Sequence, residues 1–131
     1  MHKSFLLSGS LLGGIAVILG AFGAHKLKEI VPPETVTTFQ TGVQYQMYHA
    51  LALILAAIVF EKTSSQNLMG WAGFCFLAGI LLFSGSLYLL TVIKATEQVG
   101  LSKIGIITPI GGLFFIAGWV LFFLSAMKVV K

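Results

Sequence analysis

Thr41-Gly42-Val43-Gln44-Tyr45-Gln46-Met47-Tyr48-His49-Ala50 continues into the apolar run 51–60 without a charged residue. A helix needs roughly 20 residues to cross the hydrocarbon core of a bilayer. Counted back from the Glu61-Lys62 pair, that length reaches Thr41 and carries His49 into the membrane. An ionisable side chain at that depth faces a bundle interior or a polar cavity, and so marks a candidate site.

The same pattern recurs along the chain. Uncharged runs cover about 4–24, 41–60, 68–92 and 104–127, each long enough for one spanning helix. Barrel strands need only about 10 alternating residues, so these runs predict helices. The chain has 131 residues, 57% hydrophobic and 9% charged, with a mean hydropathy of +0.99. A soluble domain carries nearer a quarter charged residues. The charges are eight Lys and four Glu, without Asp or Arg, and all lie at the ends or in the connections. The expected fold is all-α: a single membrane domain over 1–131, an integral membrane four-helix transmembrane bundle whose first partner is the lipid bilayer. Without Arg or a basic stripe, a nucleic-acid partner is excluded. The lone Cys75 permits no internal disulfide and reads as a small packing residue.

The connections agree. Pro32-Pro33-Glu34 opens a helix well, with proline in the first turn and an acid at the positive end of the dipole. Ser64-Ser65-Gln66-Asn67 is a polar turn, and 94–103 is a short polar link. A secretory signal is the rival reading of the first run. That run, at about 20 residues, exceeds an h-region of about 7 to 15, and Lys26 and Lys28 follow it directly. Four spans put both termini on one side, with Lys3, Lys62, Lys128 and Lys131. The other side holds Lys26, Lys28, Lys94 and Lys103, so the positive-inside count ties and only the terminal amine tips the termini towards the cytoplasm.

Small residues mark where helices meet. Gly9, Gly13, Ala16, Gly20 and Gly23 repeat at alternating four- and three-residue spacings along the first run, a smooth seam for close backbone approach. Gly79 in the third run and Gly111 and Gly118 in the fourth are further packing positions. At about 100° per residue, Val36, Phe39, Val43, Met47, Ala50 and Ile54 form one stripe of the second helix. Thr38, Thr41, Tyr45, His49, Ala52 and Ala56 form the opposite one. The large apolar stripe is expected to face lipid and the polar, small stripe the bundle.

Depth follows from the helical rise of about 1.5 Å per residue. Eight residues in from the Lys26/Lys94 side, His49 is level with Ala16, Ser84 and Gly112-Leu113, so Ser84 or Ser86 is the expected partner of the imidazole. Tyr45, His49, Ser84, Ser86, Tyr88 and Thr108 form the expected intramembrane polar cluster, and His25 and Gln44 are assigned to the interface. Trp71 reads as an interfacial anchor, and Trp119, deep in the fourth helix, needs a partner for its N–H. His25 and His49 differ in depth by about 12 Å, too far to share a metal, and no metal or cofactor is expected. A proton path would have one titrating station, because no Asp, Glu, Lys or Arg lies deep. Phe83-Ser84-Gly85-Ser86 lacks the nucleophile-elbow context and a carboxylate, and no P-loop lysine follows Gly111-Gly112. No catalytic residue is assigned.

Five motifs carry a resemblance: Leu19-Gly20-Ala21-Phe22-Gly23-Ala24-His25, Thr41-Gly42-Val43-Gln44-Tyr45-Gln46 with His49, Leu82-Phe83-Ser84-Gly85-Ser86-Leu87-Tyr88, Thr108-Pro109-Ile110-Gly111-Gly112, and Ala117-Gly118-Trp119. In order, they resemble the YgdD/YwdK family of small bacterial inner-membrane proteins, a domain of unknown function with a eukaryotic transmembrane relative. The resemblance implies a four-helix multi-pass protein of the bacterial plasma (inner) membrane, with cytoplasmic termini. It implies no activity, cofactor or catalytic residue, and Gln44 stands where some relatives carry an acid. The expected function is non-enzymatic: packing against itself, as a homo-oligomer, or against another membrane protein. The alternative is a small-solute, ion or proton pathway lined by the polar cluster.

Overall fold

The computed structural model describes residues 1–96 and 102–130. Residues 97–101, within the polar link, and Lys131 lie outside them. Among the described residues, four helices are long and apolar enough to cross a membrane: Lys3–Glu29, Pro33–Val59, Gln66–Ala95 and Lys103–Ala126, here the first to fourth spans. The fold is all-α. Among the described residues the only β feature is an antiparallel bridge between Thr63 and Val129.

Local chemistry sets the ends. The His2 imidazole accepts the Phe5 N–H at 3.3 Å, capping the first helix. That helix gives way after Ala24 to a 3-10 turn, Lys26–Glu29, closed by a Lys26–Glu29 pair at 3.0 Å. The second helix starts at Pro33, well before Thr41. Thr37, Thr38 and Thr41 donate their hydroxyls to the carbonyls four residues back, so polar residues extend the helix without open hydroxyl protons. The third span is interrupted by a π turn, Ile80–Ser84, which adds a residue to the α register. The fourth enters through a 3-10 turn, Ser102–Ile106, and continues as the α-helix Ile107–Ala126, with Pro109 harmless in its first turn.

The spans pack in chain order: first on second, second on third, third on fourth. Half of the second span's most apolar window is buried (50%), against 17% for the first and the fourth, so the second is central and the other two are outer. The glycine seam of the first span lies along the second. A Cβ on Gly9 would stand 2.7 Å from the Ala50 carbonyl oxygen, one on Gly20 3.3 Å from Val43, and one on Gly23 2.8 Å from the Phe39 ring. The stripe facing this seam is Phe39, Val43, Met47, Ala50 and Ile54, the stripe expected to face lipid. The correction is physical. In lipid, helices associate by van der Waals packing rather than water exclusion, and large side chains are what a glycine groove can grip. Gly79 and Gly118 receive the rings of Phe115 and Phe76, and Gly111 abuts the Phe83 backbone.

One end of the bundle gathers both termini. Met1 pairs with Glu61, His2 N–H donates to the Ala57 carbonyl at 3.0 Å, and Val130 N–H donates to that of Lys62 at 2.9 Å. The Thr63 hydroxyl donates to the Ser125 carbonyl at 2.8 Å, and the Ser125 hydroxyl to that of Ser65 at 3.0 Å.

Candidate functional site

His49 sits near the middle of the bundle, only 4% exposed, with both ring nitrogens engaged. Trp119 Nε1–H donates to His49 Nε2 at 3.1 Å. An indole nitrogen only donates, so Nε2 is bare and the proton resides on Nδ1, which donates to the Tyr45 carbonyl at 2.7 Å. The neutral ring lies flat on Phe115, with centroids 3.5 Å apart and planes 8° apart, and Phe76 closes another side at 5.6 Å. Trp119 thus takes the place expected for Ser84 or Ser86. Counting depth from flanking lysines assumes that every helix leaves the membrane at the same distance. The second helix breaks that assumption: it starts at Pro33 rather than Thr41, so His49 lies 16 residues in, level with Trp119, which is 16 residues from Lys103.

The six residues expected to form one polar cluster divide into separate ties. Ser84, wholly buried, donates to the Gly42 carbonyl at 2.6 Å and locks the second span to the third. Ser86 shares a 2.5 Å hydrogen bond with Thr108, locking the third to the fourth. Tyr88 donates at 2.7 Å to Gln46 Oε1, and Gln46 Nε2 donates at 2.8 Å to the Leu12 carbonyl. Tyr45 meets His49 through its backbone carbonyl and a near-parallel ring with centroids 6.1 Å apart, not through its hydroxyl. Among the described residues no buried side-chain nitrogen or oxygen lacks a partner. No group of three or more His, Cys, Asp or Glu side chains comes together among them. His25 is exposed at the Lys26/Lys94 end, beside Lys26. Gln46, part of a quoted motif but given no role above, is the residue that ties three spans. Its signal was an amide in the middle of an apolar run, where an unpaired polar group is costly.

Between the second and fourth spans a cavity of about 530 Å³ opens sideways, walled by Tyr45, Tyr48, Phe83, Phe115 and Trp119, with His49 behind them. In a bilayer this mouth meets acyl chains. A Trp71→Phe protein, whose remaining indole is Trp119, is expected to lose most of its emission in lipids brominated near the chain methyl ends. Bromine near the ester carbonyls is expected to quench it less. Equal quenching at both depths would place the cavity elsewhere.

The outer face of the second span carries a further pattern. Thr37, Thr41, Gln44, Tyr48, Leu51, Leu55 and Ile58 follow one another at alternating spacings of four and three. All but the half-buried Thr41 are exposed: Tyr48, at the rim of the cavity, is 54% exposed, Leu51 52% and Leu55 50%. Such spacings keep these positions on one narrow line of the helix, where a partner helix would make contact. Gln44 stands two residues from Gln46, the centre of the 27-residue Pro33–Val59 helix. The Gln44 amide is exposed and finds no hydrogen-bond partner among the described residues.

Residues 19–112 match the family described as "Protein of unknown function (DUF423)". The chain is 43% identical over 126 residues to the "UPF0382 membrane protein YwdK" of Bacillus subtilis, spanning 96% of this chain and 98% of that protein. It is 41% identical over 128 residues to a UPF0382 membrane protein of Staphylococcus haemolyticus, spanning 98% of both. A UPF0382 membrane protein of Staphylococcus aureus is 38% identical over 126 residues, 96% of this chain and 97% of its own. No solved structure matches.

Proposed function

We propose, for a multi-pass membrane protein that belongs to the DUF423 family, a non-enzymatic interaction role: its second span holds another transmembrane helix. The observation that carries this is Gln44. An amide with two donors and an acceptor faces hydrocarbon near mid-span, and leaving such groups unpaired in lipid costs several kcal/mol each. A neighbouring helix would pair them. His49, the residue best placed for chemistry, has both nitrogens committed to the fold, and no carboxylate lies within the membrane to assist it. The separate polar ties give an ion or proton path no continuous row of groups. The reading includes the bacterial inner membrane and cytoplasmic ends; the meeting of the termini at one end supports only that both lie on the same side.

The full chain, extracted from its own membrane in mild detergent, is expected to migrate above the monomer mass in native electrophoresis. Gln44→Leu is expected to shift it largely to monomer without changing its unfolding in SDS, because Gln44 makes no contact that holds the fold. A monomer from both proteins would sink the reading.

A further inference from the structure

We infer that the helix held against the second span is the second span of another copy of this chain, parallel and in register about a two-fold axis normal to the membrane. This rests on the reading of that outer face as the working surface. Copies of one chain insert with one orientation, and a two-fold axis is the commonest symmetry of homo-oligomers. An axis along the membrane normal therefore runs the two second spans parallel and brings each seam residue opposite its own counterpart. The positions share one narrow line of the helix, which parallel in-register pairing would keep in contact.

The chemistry along the seam is self-complementary. A glutamine amide offers both donor and acceptor, so two Gln44 side chains at one depth satisfy each other. Thr37 and Thr41 already commit their hydroxyl protons to carbonyls of their own helix, leaving short side chains for close approach. On the far side of Gln44, Leu51 and Leu55 supply large apolar side chains, half exposed in the single chain. The seam is also accessible. The first span grips the stripe through Val43 and Ala50, and the fourth meets the His49 side, so the seam lies between these two contacts. A polar residue at one seam position fixes register by penalising every slipped pairing, which would leave both amides in lipid.

The test uses full-length chain in its own membrane, with the sole cysteine changed (Cys75→Ser) and one cysteine introduced. Leu51→Cys and Leu55→Cys are expected to form dimer-mass disulfides under mild oxidation. Leu89→Cys, exposed on the third span, is expected to remain monomeric. Adding Gln44→Leu to Leu55→Cys is expected to lower the dimer fraction about tenfold, and Gln44→Asn to restore much of it, as a mid-membrane amide pair requires. A photo-crosslinker at Leu51 separates the failures. An adduct with a different protein and no self-dimer would overturn the self-pairing and leave the interaction role standing. Adducts with lipid alone would overturn both. Equal dimer formation at Leu89 and Leu55 would show random collision and overturn the register.

Discussion

Gly111→Ala is expected to destabilise the folded bundle by about 3 kcal/mol, the upper end for forcing a methyl group into a packed interior. A Cβ at that position would overlap the backbone nitrogen of Phe83 and stand 2.8 Å from its Cα. Backbone cannot swing aside as a side chain can, so the third and fourth spans would have to separate. Separation would also loosen the Phe115 ring seated on Gly79 and the Ser86–Thr108 bond. Phe83 belongs to the π turn Ile80–Ser84, which places this backbone against the fourth span. The neighbouring Gly112 is the control. Its nearest atom would be the Phe83 ring at 3.9 Å, an ordinary contact, and alanine there gains the roughly 0.8–1 kcal/mol of helix propensity that glycine lacks. SDS titration of both variants checks the contrast, and equal losses would refute the assigned contact.

The contrast also shows which features of the fold the sequence carries. Four spans follow from charge-free runs, because charged side chains are expensive in hydrocarbon whatever the packing. The face of the first helix bearing Gly9, Gly13 and Gly20 follows from spacing alone. Which helix covers it does not, since several helices present stripes of suitable width. The second helix illustrates this: its wheel separates Phe39/Val43/Ala50 from Tyr45/His49, yet Phe39, Val43 and Ala50 are buried as fully as His49, while Tyr45 stays exposed. Depth fails for a different reason. His49 meets Trp119 rather than Ser84 because the second helix starts at Pro33, eight residues before Thr41, and its polar first turns hide that start from a count of apolar residues. The outer Gln44/Tyr48/Leu51 line also follows from helical spacing. With two other stripes already assigned to the same helix, only the burial pattern singles it out.

Gln46→Leu is expected to cost about 2 kcal/mol, a lost hydrogen bond together with a stranded partner. Leucine fills much of the same space, so the loss is polar: the Leu12 carbonyl forgoes its side-chain donor and the Tyr88 hydroxyl its acceptor. Tyr88→Phe, which keeps the ring against Phe39 at 5.2 Å, is expected to cost about 1 kcal/mol by leaving Gln46 Oε1 unpaired. The double variant is expected to cost about 2 kcal/mol rather than the sum of the two, because the second change removes a group that the first had already stranded. Strict additivity in SDS unfolding would mean that the amide and the phenol do not share a bond in the bilayer. The choice of residue matters for the surface as well. Gln46 directs its amide between the first and third spans, and Gln44 directs its own outward. Losing the inner amide should therefore weaken the monomer fold, and losing the outer one the association of copies. Leucine at 46 and leucine at 44 are thus expected to separate the two properties, one lowering unfolding stability and the other lowering the dimer fraction.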